Sequence, residues 1–274
     1  MLLSVNNCQK NVSFQKPILF EQTFLNVSYG TDAMQKMDIY LPAERSKKIT
    51  KVIMLIHGGA WNGGDKADFA SYISLLKNKL PGYAIVNINY RLATQKINHF
   101  PTQENDVQSA INFVYQKRND YQLSDKLVLL GASAGAHLAL LHAYKHSDPV
   151  KIQSVISFFG PTDLISIYKS ISNSYYQMAI QVLVGGTPVN NIEAFHQSSP
   201  LFFANAKSCP TLLLHGAKDP WVPVSHSKTL SNKLNASGVK TELVIYPNEG
   251  HGWYGNTLNE SFDKVASFLQ NNVE

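Results

Sequence analysis

The chain has 274 residues, of which 44% are apolar, 11% aromatic and 16% charged, a globular composition that excludes intrinsic disorder and can fill a sizeable core. Lys and Arg number 24 against 19 Asp and Glu, a formal net charge of +5, and the cations are scattered, which argues against nucleic acid as a partner. Two cysteines, Cys8 and Cys209, do not make a disulfide framework, and no run of about eighteen apolar residues is available to span a membrane.

The opening MLLSVNNCQKN lacks the positive start and full apolar stretch of a signal peptide. A cytoplasmic location is therefore expected, with export, and Cys8 as a lipid-attachment site, as the alternative if the true start lies upstream of Met1. Residues 20–29 and 36–41 alternate in polarity and are predicted to be antiparallel leading strands. KVIMLIH, at 51–57, is a continuous apolar run, the mark of a strand covered on both faces. A helix is predicted over 67–80, a strand over 83–90, an amphipathic helix over 105–117, a strand over 126–130 and an unusually apolar helix over 133–144. Strands follow at 152–159, 211–214 and 241–246, with helices at 225–234 and 261–271. Such alternation predicts an α/β fold, a mostly parallel sheet with helices on both faces, because parallel neighbours need crossovers. The whole chain, 1–274, is expected to be a single domain. Where the next strand is due, residues 164–199 carry Tyr168, Tyr175, Tyr176, Met178 and Val182 at helical spacing, which predicts a short helical, cap-like insertion.

Gly131-Ala132-Ser133-Ala134-Gly135 follows a predicted strand and opens a predicted helix, the context a G-x-S-x-G nucleophile turn requires. The chain must turn sharply to hold a hydroxyl clear of the sheet edge, and the glycines remove side chains that would collide there. The bland reading is a tight junction in which Ser133 caps the helix. His57-Gly58-Gly59-Ala60-Trp61 follows an earlier strand, where a loop of backbone donors for an oxyanion belongs. Gly59, Ala60 and Ala134 are the candidate oxyanion-hole donors, and His57 is expected to tie the loop to its neighbours rather than react.

A base and an acid should follow in the order Ser, acid, His. Among nine histidines, His251 follows the last strand in the loop Glu249-Gly250-His251-Gly252, so its ring can stand at the sheet's carboxyl edge. Asp219, after TLLLHG, is the candidate acid; Asp163 is the runner-up but also suits a helix cap, and Glu249 comes third. Asp106 is expected to cap its helix, and His215 to be a satisfied interior group. Trp61, Trp221, Trp253, Tyr175 and Tyr176 are candidate walls of a substrate pocket, each equally able to serve the core. The histidines lack H-E-x-x-H spacing and no C-x-x-C or nucleotide-binding glycine motif follows a strand, so no metal or cofactor is expected.

HGGAWNGGDK (57–66), INYRLA (88–93), LLGASAGAHLAL (129–140), FFGPTDL (158–164), LLLHGAKDPWVP (212–223) and YPNEGHGW (246–253) together resemble the α/β-hydrolase superfamily. The resemblance runs from about Tyr29 to the C-terminus. It is nearest the bacterial carboxylesterases related to the hormone-sensitive-lipase group and to bifunctional feruloyl/acetylxylan esterases. It implies the α/β-hydrolase fold, with Ser133 as nucleophile, Asp219 as acid, His251 as base and the HGGA loop as oxyanion hole. Ala60 and Ala136 stand where many relatives carry glycine. The implied activity is hydrolysis of small acyl esters through an acyl-enzyme, with a sugar or polysaccharide acetate as one candidate substrate. Two alternatives stay open: a formamidase or peptidase on the same fold, and a non-catalytic hydrolase-like binding protein.

Overall fold

The computed structural model describes residues 19–146 and 150–273, so Cys8 and the alternative reading of the N-terminus lie outside the described residues. Within them the elements run β1 (Gln22–Ser28), β2 (Lys36–Leu41), β3 (Val52–Ile56), α1 (Ala70–Lys79), β4 (Ala84–Ile88), α2 (Thr102–Lys117), β5 (Leu127–Ala132) and α3 (Ala134–Lys145). They continue with β6 (Ile152–Phe158), α4 (Leu164–Ser170), α5 (Ser174–Val184), α6 (Ile192–Gln197), α7 (Pro200–Phe203), β7 (Thr211–Gly216), α8 (Ser225–Ala236), β8 (Thr241–Tyr246) and α9 (Gly255–Asn272).

Eight strands form one sheet in the order β1-β2-β4-β3-β5-β6-β7-β8. β1 and β2 pair antiparallel, β2 meets β4 antiparallel, and every pairing from β4 to β8 is parallel. This is the architecture the α/β-hydrolase resemblance implied. All residues of β3, β4 and β5 are buried, which accounts for their unbroken apolar sequences: helices cover both faces. On one face the core joins the sheet to α2, α3 and α8 through Val107, Ile111, Leu138, Leu140, Leu230 and Leu234. On the other, Ile73 and Leu76 of α1 and Phe262, Val265 and Leu269 of α9 pack against Ile53, Leu55, Val128 and Leu130.

Three expectations shift. The helix predicted from 67 starts instead as a 3-10 turn, Lys66–Phe69, because the Asp65 carboxylate accepts from Ala67 N at 2.8 Å and fixes a tight first turn. α9 begins at Gly255, six residues before the predicted start, since its first turn carries a polar, exposed face around Leu258. Asp106 does not cap α2, which starts at Thr102. It lies fully buried within that helix and accepts from the Arg91 amide at 2.8 Å, the Arg91 guanidinium and Gln35 Nε2. Pairing a buried carboxylate with an arginine outweighs any capping role.

β5, β6, β7 and β8 are successive neighbours, so the loops leaving their carboxyl ends lie side by side along one edge. That edge is where open α/β sheets place their ligands. The loop after β3 flanks it, because β3 pairs with β5 in register Ile56 to Gly131.

Candidate active site

The turn from β5 into α3 puts Ser133 at φ 53°, ψ −120°, a backbone region that a non-glycine residue occupies only under constraint. Ser133 N donates to Phe158 O at 2.8 Å, which ties the turn to β6. The flanking glycines are required by contact: a Cβ on Gly135 would lie 1.9 Å from Ile56 O, and one on Gly131 2.3 Å from Gly135 backbone. The Ser133 side chain makes no cap bond to α3. Its hydroxyl donates instead to His251 Nε2 at 2.8 Å.

His251 Nδ1 donates to Asp219 Oδ2 at 2.7 Å. The other carboxylate oxygen accepts from the amides of Trp221 at 2.8 Å and Val222 at 2.9 Å. Burial alone would raise the Asp219 pKa, but bonds from His215 and His251 overcome it and hold the carboxyl well below its usual range. Asp219 is therefore an anion at neutral pH, facing the nitrogen of His251 that carries the proton. The β7 and β8 loops are joined by Lys218 N donating to Glu249 O at 2.9 Å and Ala217 N to Tyr246 O at 2.8 Å. The His251 ring sits between Phe159, with ring centroids 4.6 Å apart, and Trp221, stacked at 6.0 Å. Ser133, Asp219 and His251, 118 residues apart at the extremes, thus meet on one sheet edge.

Asp163, the runner-up acid, caps α4 by accepting from Ile165 N and Ser166 N, both at 3.0 Å. Glu249 accepts from the Thr257 hydroxyl at 2.8 Å. His215 is buried and bonded, as expected of an interior group: Nδ1 accepts from Ser227 Oγ at 2.7 Å and Nε2 donates to Val222 O at 2.9 Å. Its Nε2 also lies 3.3 Å from Asp219 Oδ2, a second contact to that carboxylate for which residue spacing carries no signal.

The loop after β3 brings Gly59 and Ala60 to the cleft beside Ser133. Gly59 has φ 106°, and a Cβ there would meet Gly63 O at 2.2 Å. Ala60 lies at φ 49° and Trp61 at φ 61°. Neither the Gly59 nor the Ala60 amide donates within the protein among the described residues. Ala134 is the first residue of α3, so its amide has no partner within the helix. The loop is fixed by Gly63 N to Gly59 O at 2.9 Å and by the Tyr90 hydroxyl to His57 O at 3.0 Å. His57 Nδ1 donates to Gly58 O at 2.7 Å and its ring stacks on Tyr90 at 4.3 Å, a tie within the loop.

The cleft has a volume of about 500 Å³. Tyr175, Tyr176, Trp221 and Trp253 line it, with Phe159 and Tyr72, which the sequence did not single out. Tyr175 and Trp221 form an exposed rim, 57% and 39% accessible, while Tyr176 and Trp253 are buried walls. Trp61 does not line the cleft, contrary to expectation. It is fully buried behind the loop, and its indole N–H donates to His137 Nδ1 at 3.1 Å. A left-handed backbone at Ala60 and Trp61 turns the side chain inward, and no sequence pattern announces that geometry. Among the described residues no group of three or more His, Cys, Asp or Glu is placed to hold a metal, and no helix is long and apolar enough to cross a membrane.

A model of the BD-FAE family matches residues 37–234. Esterase LipC of Mycobacterium tuberculosis is 25% identical over 240 residues, covering 83% of this chain and 59% of that protein. The chain spans about half the length of the curated relatives it matches. A bifunctional GH43-CE protein of Bacteroides eggerthii superposes with a TM-score of 0.80 at 26% identity, over 92% of this chain and 38% of that one. A truncated carbohydrate esterase from gut microbiota gives 0.75 at 22% identity over 91% of this chain and 98% of its own, a likeness of fold.

Proposed function

The chain belongs to the BD-FAE family, and from that premise we propose that it is a serine ester hydrolase working through an acyl-enzyme. The carrying observation is the continuous hydrogen-bond chain from Ser133 Oγ through His251 to Asp219, at 2.8 and 2.7 Å. Ser133 attacks the ester carbonyl carbon while His251 Nε2 takes its proton. Asp219 keeps the Nδ1–H tautomer and stabilises the imidazolium. The carbonyl oxygen becomes an anion facing the amides of Gly59, Ala60 and Ala134, each donor being worth about 3 kcal/mol at such a centre. The C–O bond to the alcohol then breaks, with His251 returning the proton to the leaving oxygen. Water, deprotonated by the same ring, releases the acid and restores Ser133.

The substrate is a small acyl ester. The cleft of about 500 Å³ is open and aromatic-rimmed, and α4, α5 and α6 act as a short cap within a single domain rather than as a deep lid. Trp221, Tyr175 and Tyr176 contact the bound ester. A sugar-borne acetate fits the rim, since exposed Tyr175 and Trp221 offer flat faces to a pyranose ring. The test is hydrolysis of p-nitrophenyl acetate by Ser133→Ala. A loss of kcat of at least about a thousandfold with the fold intact is expected, and wild-type turnover by that variant would overturn the reading.

A further inference from the structure

Tyr176 is an anomaly at the cleft. It is 1% exposed, yet its hydroxyl finds no hydrogen-bond partner among the described residues. Most buried hydroxyls in native proteins are satisfied, and an orphan one destabilises the fold, so its retention points to another purpose. This one belongs to a side chain lining the same cleft as Ser133. Its ring is fixed: the centroid lies 6.1 Å from that of Trp61 and 6.2 Å from that of Trp221. α5 is fixed at its start by Asn173 Oδ1 accepting from Tyr176 N at 3.1 Å. Burial first, and then the nearby Asp219 charge, raise the phenol's pKa, while the Ser133 hydroxyl close by acts in the opposite direction, so the phenol stays protonated, a donor. The Trp61 ring that Tyr176 packs against belongs to the residue directly after Ala60 of the loop that follows β3.

We propose that Tyr176 is a catalytic residue whose hydroxyl donates a hydrogen bond to the oxygen that becomes anionic when Ser133 attacks, adding a side-chain donor to the backbone amides of Gly59, Ala60 and Ala134. The inference rests on the ester-hydrolase reading. It makes the cap segment, through α5, part of the reacting centre and not only a wall. No covalent bond forms at Tyr176, and its proton stays on the phenol throughout.

The experiment compares wild type with Tyr176→Phe, which keeps the ring and removes only the hydroxyl. A tenfold to hundredfold loss in kcat/KM is expected, of similar size for p-nitrophenyl acetate and ethyl acetate, because a donor to the oxyanion is indifferent to the leaving group. The Tm should stay level or rise, since an unsatisfied group has been removed. Phenylboronic acid, which forms a tetrahedral adduct on Ser133, should bind more weakly to the variant by a comparable factor. Activity and boronate affinity within twofold of wild type would overturn the proposal, as would a loss confined to ethyl acetate or a loss matched by a fall in Tm. Ester hydrolysis that wild type shows and Ser133→Ala lacks upholds the enzyme reading whatever Tyr176→Phe does, so the two failures are distinguishable.

Discussion

Ala60 occupies backbone space that alanine enters at a cost, with φ at 49° beside Trp61 at 61°. The left-handed region disfavours an L-residue by about 1–2 kcal/mol, and the strain is held where an oxyanion would sit, by the Gly63 N–Gly59 O bond and the stacked His57 and Tyr90 rings. Ala60→Gly should therefore raise the Tm by about 2–4 °C and keep kcat, because the amide itself is unchanged. Thermal unfolding of the variant checks this, and a fall in Tm would contradict it. At this scale the residues proposed to react were legible where chemistry forces a local pattern. Ser133 was readable because a nucleophile turn needs small residues on both sides, and His251 because its loop ends the last strand. Tyr176 and Trp61, both aromatic and both candidate walls, separated only in three dimensions: one lines the cleft and carries an orphan hydroxyl, the other turns away to His137. The His215 contact to Asp219 depends on how the loop after β7 folds back over its own strand, which spacing does not encode.

The strands buried on both faces were the clearest elements to read, because β3, β4 and β5 cannot tolerate polar alternation. Their order in the sheet was not written in the sequence. It follows from crossovers that carry the chain from β3 out to β4 and back past β3 to β5. Helix starts were less legible than helix bodies. α9 has a polar first turn, and the 3-10 turn at Lys66–Phe69 is dictated by the Asp65 side chain rather than by apolar spacing. α5 buries Tyr176, Ala179, Ile180 and Leu183 at helical spacing, so the apolar rhythm of the 164–199 segment was readable even though the elements there, α4 to α6, are short. The face that α5 turns inward also carries the orphan hydroxyl, so packing and chemistry are coupled in one helix.

The molecule as a whole buries titratable groups away from the cleft. His137 and His142 on α3 and His226 on α8 are held neutral by burial, with pKa values lowered to about 4, about 3 and about 4. In the unfolded chain each would titrate near about 6.5. Between those values the unfolded state binds more protons, so stability falls as pH drops from about 6.5 toward 4. Asp219 has the opposite charge but the same direction: its carboxyl is depressed, and its contribution is lost only further into acid. The Tm should be level near neutrality and drop steeply below about pH 6, which thermal unfolding across a pH series measures; a Tm flat down to pH 4 would contradict it. The convergence of Ser133, His251 and Asp219 on one sheet edge is the premise of the whole reading. Its most direct test is labelling with a fluorophosphonate followed by peptide mass spectrometry. One adduct on the peptide containing Ser133, lost in His251→Ala, is the expected result; an unlabelled Ser133 in the folded wild-type protein, or labelling indifferent to His251, would contradict it.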